Sequence, residues 1–259
     1  MPNHHSPLCD RDIETLERAT LDAVAPPAVE AIDGWLLPFD ASTIGRAKSA
    51  VPLRHQHPPG ADATAMLCTM EARYAAHGLP AAFRVADVPG MAAVHAALAR
   101  RGYQAQQPTL VQTGATLHLR HACRGTPAQV SNTPHTAWSG VYLAEGFDPV
   151  DGAYRVQALS RSPHVVYASV VEAGLPVAAG TAAFSQGWAS VHGMRTVQSG
   201  RGQGLAGRVL AGLADAALAR GLDRVFLQVE EGNTAALALY QRVGFATAWR
   251  YHYWRRPQG

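Results

Sequence analysis

Two stretches of the 259-residue chain carry residue types and spacings that can do chemistry. The first, Arg201-Gly202-Gln203-Gly204-Leu205-Ala206, precedes a run in which Leu205, Val209, Leu213 and Ala217 recur every fourth position, so it predicts a glycine turn opening a helix. The first amides of a helix have no intrahelical acceptor and carry about half a positive charge, and glycines there let a phosphate or pyrophosphate approach them. A plain strand-to-helix turn needing positive φ would use the same residues. The second stretch runs from Asn233, a good helix N-cap, to Tyr240 and a closing Gly244-Phe245, and predicts a short helix.

Neighbouring chemistries are excluded. No Gly-Lys-Ser/Thr follows the glycines, which disfavours a magnesium-dependent nucleoside triphosphatase, and the spacing fails the dinucleotide fingerprint.

Arg201-x-x-Gly204-x-Ala206 followed by Asn233-x-x-Ala236-x-x-Leu239-Tyr240-x-x-x-Gly244-Phe245 resembles the paired motifs of the GNAT superfamily of N-acetyltransferases over about residues 160–254. The resemblance implies acetyl-CoA as cosubstrate and no metal. Its pyrophosphate would rest on the amides of Arg201, Gly202, Gln203, Gly204, Leu205 and Ala206, and its pantetheine would pair with the backbone of Met194, Arg195 and Thr196. Asn233 would sit at the mouth and Tyr240 near the sulfur. It also implies direct attack by a primary amine in a ternary complex, while motifs that grip CoA leave open another acyl donor and a hydroxyl or protein amine as acceptor.

An amine attacks only when neutral, so a base or a water chain must take its proton. His192 and Glu230 are the nearest titratable candidates, with Glu172 and Glu231 further off; a satisfied sheet histidine and a solvated loop carboxylate are their ordinary alternatives. A backbone N–H near Arg195 or Thr196 would face the charge developing on the attacked carbonyl. Tyr240 would hydrogen-bond or protonate the departing thiolate, or serve only as a core tyrosine. A non-catalytic acyl-CoA sensor is the rival reading, against which the retained Tyr240 argues.

The elements that must position these residues read as mixed α/β. The second half predicts a helix over 153–159, strands over 164–172, 177–184 and 188–196, a helix over 205–220, a strand over 225–229, a helix over 234–243 and a strand over 247–254. The first half predicts a helix over 10–25, strands at 35–37 and 43–53, a helix over 64–76, a strand at 82–85, a helix over 91–101 and a strand over 109–119. Residues 121–135, with Gly125, Pro127 and Pro134, read as a linker. The expected division is therefore an N-terminal α/β lobe over 1–125, a linker over 126–135 and a GNAT domain with a splayed sheet over 136–259.

A faint repeat links the halves: Phe83 to Gly102-Tyr103 and Phe226 to Gly244-Phe245 each cross a helix at nearly equal spacing. The first lobe matches only as a degenerate second copy. Where it would need its glycine turn it reads Arg54-His55-Gln56-His57-Pro58-Pro59-Gly60-Ala61-Asp62, with prolines that lack N–H donors, so it is expected to bind no CoA and to shape the acceptor pocket, with Arg46, Trp35 and Arg84 as contributors.

Composition bounds the rest. Apolar residues make up 47% and charged residues 16%, which is globular composition, and the net charge of +3 rests on arginine, Lys48 being the single lysine. No basic tract suggests nucleic acid, and Tyr251 to Arg256 alternates as a terminal strand. Cys9, Cys68 and Cys123 are too few and scattered for a disulfide framework, and neither His4-His5 nor His55 with His57 completes a metal set. No membrane span or leader is read, and a cytoplasmic monomer or homodimer is expected.

Overall fold

The computed structural model describes residues 8–257, so His4-His5 lies outside the described residues. Helix α1 (Asp10–Val24) leads into the hairpin of β1 (Ala28–Ile32) and β2 (Trp35–Phe39). Asp33 and Gly34 between them both take positive φ, 47° and 79°, as a tight hairpin turn requires. Then follow β3 (Val51–Pro52), α2 (Ala63–Ala76), β4 (Phe83–Ala86), α3 (Ala92–Arg100), β5 (Gln104–Ala115), α4 (Thr116–Ala122) and β6 (Gln129–Ser131). The remainder comprises α5 (Thr136–Tyr142), α6 (Pro149–Leu159), β7 (Val165–Glu172), β8 (Leu175–Ser185), β9 (Trp188–Thr196), α7 (Leu205–Leu218), β10 (Arg224–Glu230), α8 (Thr234–Arg242) and β11 (Ala246–Arg255).

Eight strands form one mixed sheet in the order β4-β11-β5-β10-β9-β8-β7-β6, and β1 to β3 form a small antiparallel sheet beside it. Helices α4 and α7 cover one face of the large sheet, with Val209, Leu210 and Leu213 of α7 fully buried; α1 and α5 cover the other. Each such buried leucine or valine stabilises the fold by about 1.5–3 kcal/mol through area removed from water.

The repeat seen in the sequence is real in three dimensions, and its copies interlock. Each unit is strand, helix, strand: β4-α3-β5 and β10-α8-β11. Their second strands lie side by side, with β11 between β4 and β5, and β5 between β11 and β10, all antiparallel. Both helices end on the same cap. Gly102 and Gly244 take φ of 82° and 94°, and the next residue's N–H returns to a carbonyl five residues back, Tyr103 to Leu98 at 3.1 Å and Phe245 to Tyr240 at 2.9 Å.

Several expectations are corrected. The sheet is continuous across the boundary expected at 126–135, because β4 and β5 come from before it. Within the expected linker, Gln129–Ser131 pairs with Tyr167 to Ser169 as an edge strand. Of the strand expected over 43–53 only Val51–Pro52 forms, and Gly45–Lys48 is a 3-10 turn, with Ile44, Ala47 and Ala50 buried at a spacing of three. The strand expected over 109–119 runs instead over Gln104–Ala115 and gives way to α4.

Candidate functional site

The site begins where two strands part. β9 and β10 run parallel but pair through only three positions, Ala189 with Val225, Ser190 with Phe226 and Val191 with Leu227. Beyond them, residues 192–196 and 228–230 diverge and leave backbone edges without a strand partner across the gap. Gly193 helps to turn β9 away. It takes φ of 63°, and one extra β9 residue is accommodated opposite β8 between the pairs Ala179 with Arg195 and Thr181 with His192.

The glycine turn stands at the C-terminal end of β9. Gly204, at φ 76°, is the N-cap of the 14-residue α7 and offers no side chain to its amides; Gly202 takes φ 77°. A Cβ added at either would meet nothing within 4 Å, so the ground before these amides is open. Helix α2, in the corresponding place of the first half, differs. Its N-cap Asp62 accepts from the amides of Thr64 and Ala65 at 2.8 and 3.2 Å, so a carboxylate of the chain itself already occupies that helix end.

A cavity of about 1010 Å³ opens from the splay, and both halves of the chain line it. His192, Met194, Glu230, Asn233 and Tyr240 all reach it, so these expected site residues are brought together. Residues 201–206 lie outside the cavity lining, at the end of the splay. Asn233 caps α8, its Oδ1 accepting from the Ala236 amide at 3.2 Å.

The side chains differ in what they can do. Tyr240 is nearly buried against Phe245, and burial pushes its phenol up to about 12, so it is a protonated hydrogen-bond donor at neutral pH. His192 is 3% exposed beside Phe226, and neither ring nitrogen has a hydrogen-bond partner among the described residues. Burial, and secondarily the charge of Arg46, hold its pKa well below the ordinary value, so it is a neutral imidazole and a reluctant proton acceptor. Glu230 remains exposed and accepts a 2.6 Å hydrogen bond from Gln107 Nε2. The side chain of Arg195 turns away from the cavity to Asp151 at 2.6 Å, over the ring of Phe147, which leaves only its backbone for the gap.

Gln107 was not legible as a site residue. It sits in a bulge of β5 at φ 52°, a strained conformation for a non-glycine residue, and from there its amide reaches Glu230. The only local signal is the Pro108 that follows it. Of the three contributors expected from the first half, Arg46 lines the cavity. Trp35 instead packs edge-on against Phe83 in the core, and Arg84 turns to Glu17 of α1 at 2.6 Å. Glu172 and Glu231 pair with Arg208 and Arg250 outside the cavity. Among the described residues no group of three His, Cys, Asp or Glu could hold a metal, and no helix is long and apolar enough to cross a membrane.

Residues 11–254 match the family model described as "Probable histone acetyltransferase Rv0428c C-terminal". Two curated relatives align over parts of the chain. The mycothiol acetyltransferase of Salinispora tropica is 62% identical over 42 residues, 16% of this chain and 13% of that protein. The uncharacterized N-acetyltransferase YobR of Bacillus subtilis is 27% identical over 46% of this chain and 49% of that one. The chain thus spans at most about half the length of these curated relatives. Solved structures agree over nearly the whole length. A GCN5-related N-acetyltransferase from Kribbella flavida superposes with a TM-score of 0.70 at 18% identity, covering 95% of this chain and 96% of that one. A tandem GNAT protein from the clavulanic acid biosynthesis pathway superposes with 0.61 at 16% identity, covering 98% of each.

Proposed function

Because the chain belongs to the Rv0428c C-terminal acetyltransferase family and has the GNAT fold, we propose that it transfers an acetyl group from acetyl-CoA to a primary amine. The observation that carries this reading is the coincidence of three features along one splay: the parting of β9 from β10, the phenol of Tyr240 in the cavity that opens there, and, beyond the end of β9 and outside the cavity lining, the helix end uncapped at Gly204.

The residues present fit such a cosubstrate. The amides from Arg201 to Ala206 would hold its pyrophosphate on open, side-chain-free ground, and the unpaired edge of β9 from Met194 to Thr196 would pair with its pantetheine as an added strand does. Bound acetyl-CoA supplies a thioester carbonyl whose carbon forms a bond to the acceptor nitrogen while the carbon–sulfur bond breaks.

The chain's own groups would prepare and balance that exchange. Glu230 takes the amine proton, directly or through water, because its carboxylate faces the cavity and Gln107 holds it in place. His192, kept neutral by burial, offers an unpartnered nitrogen to the acceptor without competing for its proton. Tyr240 donates a hydrogen bond to the departing sulfur while keeping its own proton. The first half binds no CoA in this reading: the Tyr240 position of its repeat is Leu98, and its helix end is closed by Asp62.

Thiol release from acetyl-CoA in the presence of a panel of primary amines tests the reading. Amine-dependent release supports it, whereas binding of acetyl-CoA without release on any amine would favour a sensor.

A further inference from the structure

The cavity is walled by more cations than the fold neutralises. Five basic side chains line it, and two are matched: Arg155 pairs with Asp151 at 2.7 Å and Arg256 with Glu71 at 3.0 Å. Arg46, Lys48 and Arg255 pair with no carboxylate among the described residues. Of the acids that line or border the cavity, Glu230 at the splay has no cation partner among the described residues and takes only the Gln107 amide; the others are engaged. Asp40 is held by Arg161, Glu71 by Arg101 and Arg256, and Glu17 by the buried Arg84.

The three cations differ in setting but share the cavity. Arg46 Nε is buried with no hydrogen-bond partner among the described residues, an arrangement that costs free energy until something accepts from it. Lys48 is half-buried, and burial followed by the charge of Arg255 pulls its pKa down, with the Asp40 carboxylate opposing. Arg255 lies over the Tyr253 ring at 4.5 Å and touches the other end of Gln107, whose Nε2 is on Glu230. Gln107 therefore spans from the cationic wall to the carboxylate at the splay. The glycine turn lies outside this cavity, so these charges are not the cosubstrate's phosphate site.

We propose that the acceptor amine carries an anionic head group, which Arg46, Lys48 and Arg255 hold while the amine lies toward Glu230. The proposal rests on the acetyltransferase reading and names the substrate class of that same site: amino carboxylates or amino phosphates rather than plain or polycationic amines. Arginine forks suit either oxyanion.

The test is steady-state thiol release by the purified full chain with matched acceptors: one amine bearing a carboxylate, a phosphate or an uncharged amide at the same position. Anionic acceptors should show kcat/KM higher than the amide by roughly tenfold or more, the worth of one or two charge-assisted hydrogen bonds. Arg46→Gln and, separately, Lys48→Met should remove that preference through KM for the acceptor, with KM for acetyl-CoA within about twofold of wild type. Equal use of the amide and the anions, or variants that lower all three acceptors alike, would overturn the proposal. If no amine is turned over, the acetyltransferase reading fails. Calorimetric titration of the amino carboxylate and amino phosphate then still decides the head-group claim. Binding of either weakened about tenfold by Arg46→Gln upholds it, and equal affinity overturns it.

Discussion

Tyr142 Oη donates a 2.6 Å hydrogen bond to the carbonyl oxygen of Gly193, the residue at which β9 bulges away from its regular register. The bond ties α5, on the outer face of the sheet, to the point where the strands begin to part. A Cβ at Gly193 would lie 2.6 Å from Tyr142 Oη and 2.7 Å from Leu159 Cδ1, besides being strained at φ 63°. Gly193→Ala should therefore destabilise the protein by about 2–4 kcal/mol, and Tyr142→Phe by about 1–3 kcal/mol, read as shifts in the urea midpoint. Wild-type midpoints for both would mean that the bulge is not held this way.

Tyr240 should separate chemistry from packing. Its ring contact with Phe245 survives in Tyr240→Phe, so the melting temperature should stay close to wild type while kcat falls by roughly ten- to hundredfold. An unchanged kcat would make Tyr240 a core residue alone.

Glu230→Gln should lower kcat/KM by about 10²–10⁴ at neutral pH, with partial recovery at higher pH as the free fraction of the amine rises. Gln107→Ala should lower it less, by loosening Glu230. A Glu230→Gln enzyme with the wild-type rate and pH profile would leave proton removal to water alone.

How much of this was legible follows from the range of the interactions. The turn at Gly202 and Gly204 and the helix from Asn233 to Gly244 are local, so spacing alone located them. The interleaving of β11 between β4 and β5 joins Tyr251 to Ala86 and Arg250 to Leu110 across more than half the chain, and no local pattern records such a pairing. The same distance hid Gln107. Its role depends on a bulge fixed by β11 and on Glu230, which lies over a hundred residues further on. Arg46 reads from the sequence as a contributor, but its lack of a carboxylate partner among the described residues depends on the long-range pairing of Asp40 with Arg161 and of Glu17 with Arg84.

His55 gives the fold a mild acid sensitivity. Burial, then the charge of Arg84, with Asp10 opposing, lowers its pKa from 6.5 to about 4, and its ring packs edge-on against Trp249 at 4.8 Å. The unfolded chain binds the proton more readily, so stability should rise with pH between about 4 and 6.5, and should be lost as pH falls through that window. His55→Gln should flatten the slope of unfolding free energy against pH over that range. An unchanged slope would show that other groups set it.

Calorimetric titration of acetyl-CoA into the wild-type chain and into Gly204→Glu is the most direct test of the central claim. The Gly204 position is open, so the substitution should leave a folded protein, apart from about 1–2 kcal/mol of backbone strain, while placing a carboxylate where the pyrophosphate would rest. Stoichiometric binding by wild type, lost or weakened at least about a hundredfold in the variant, is the predicted result. No binding to the wild type, or equal binding to both, would contradict it.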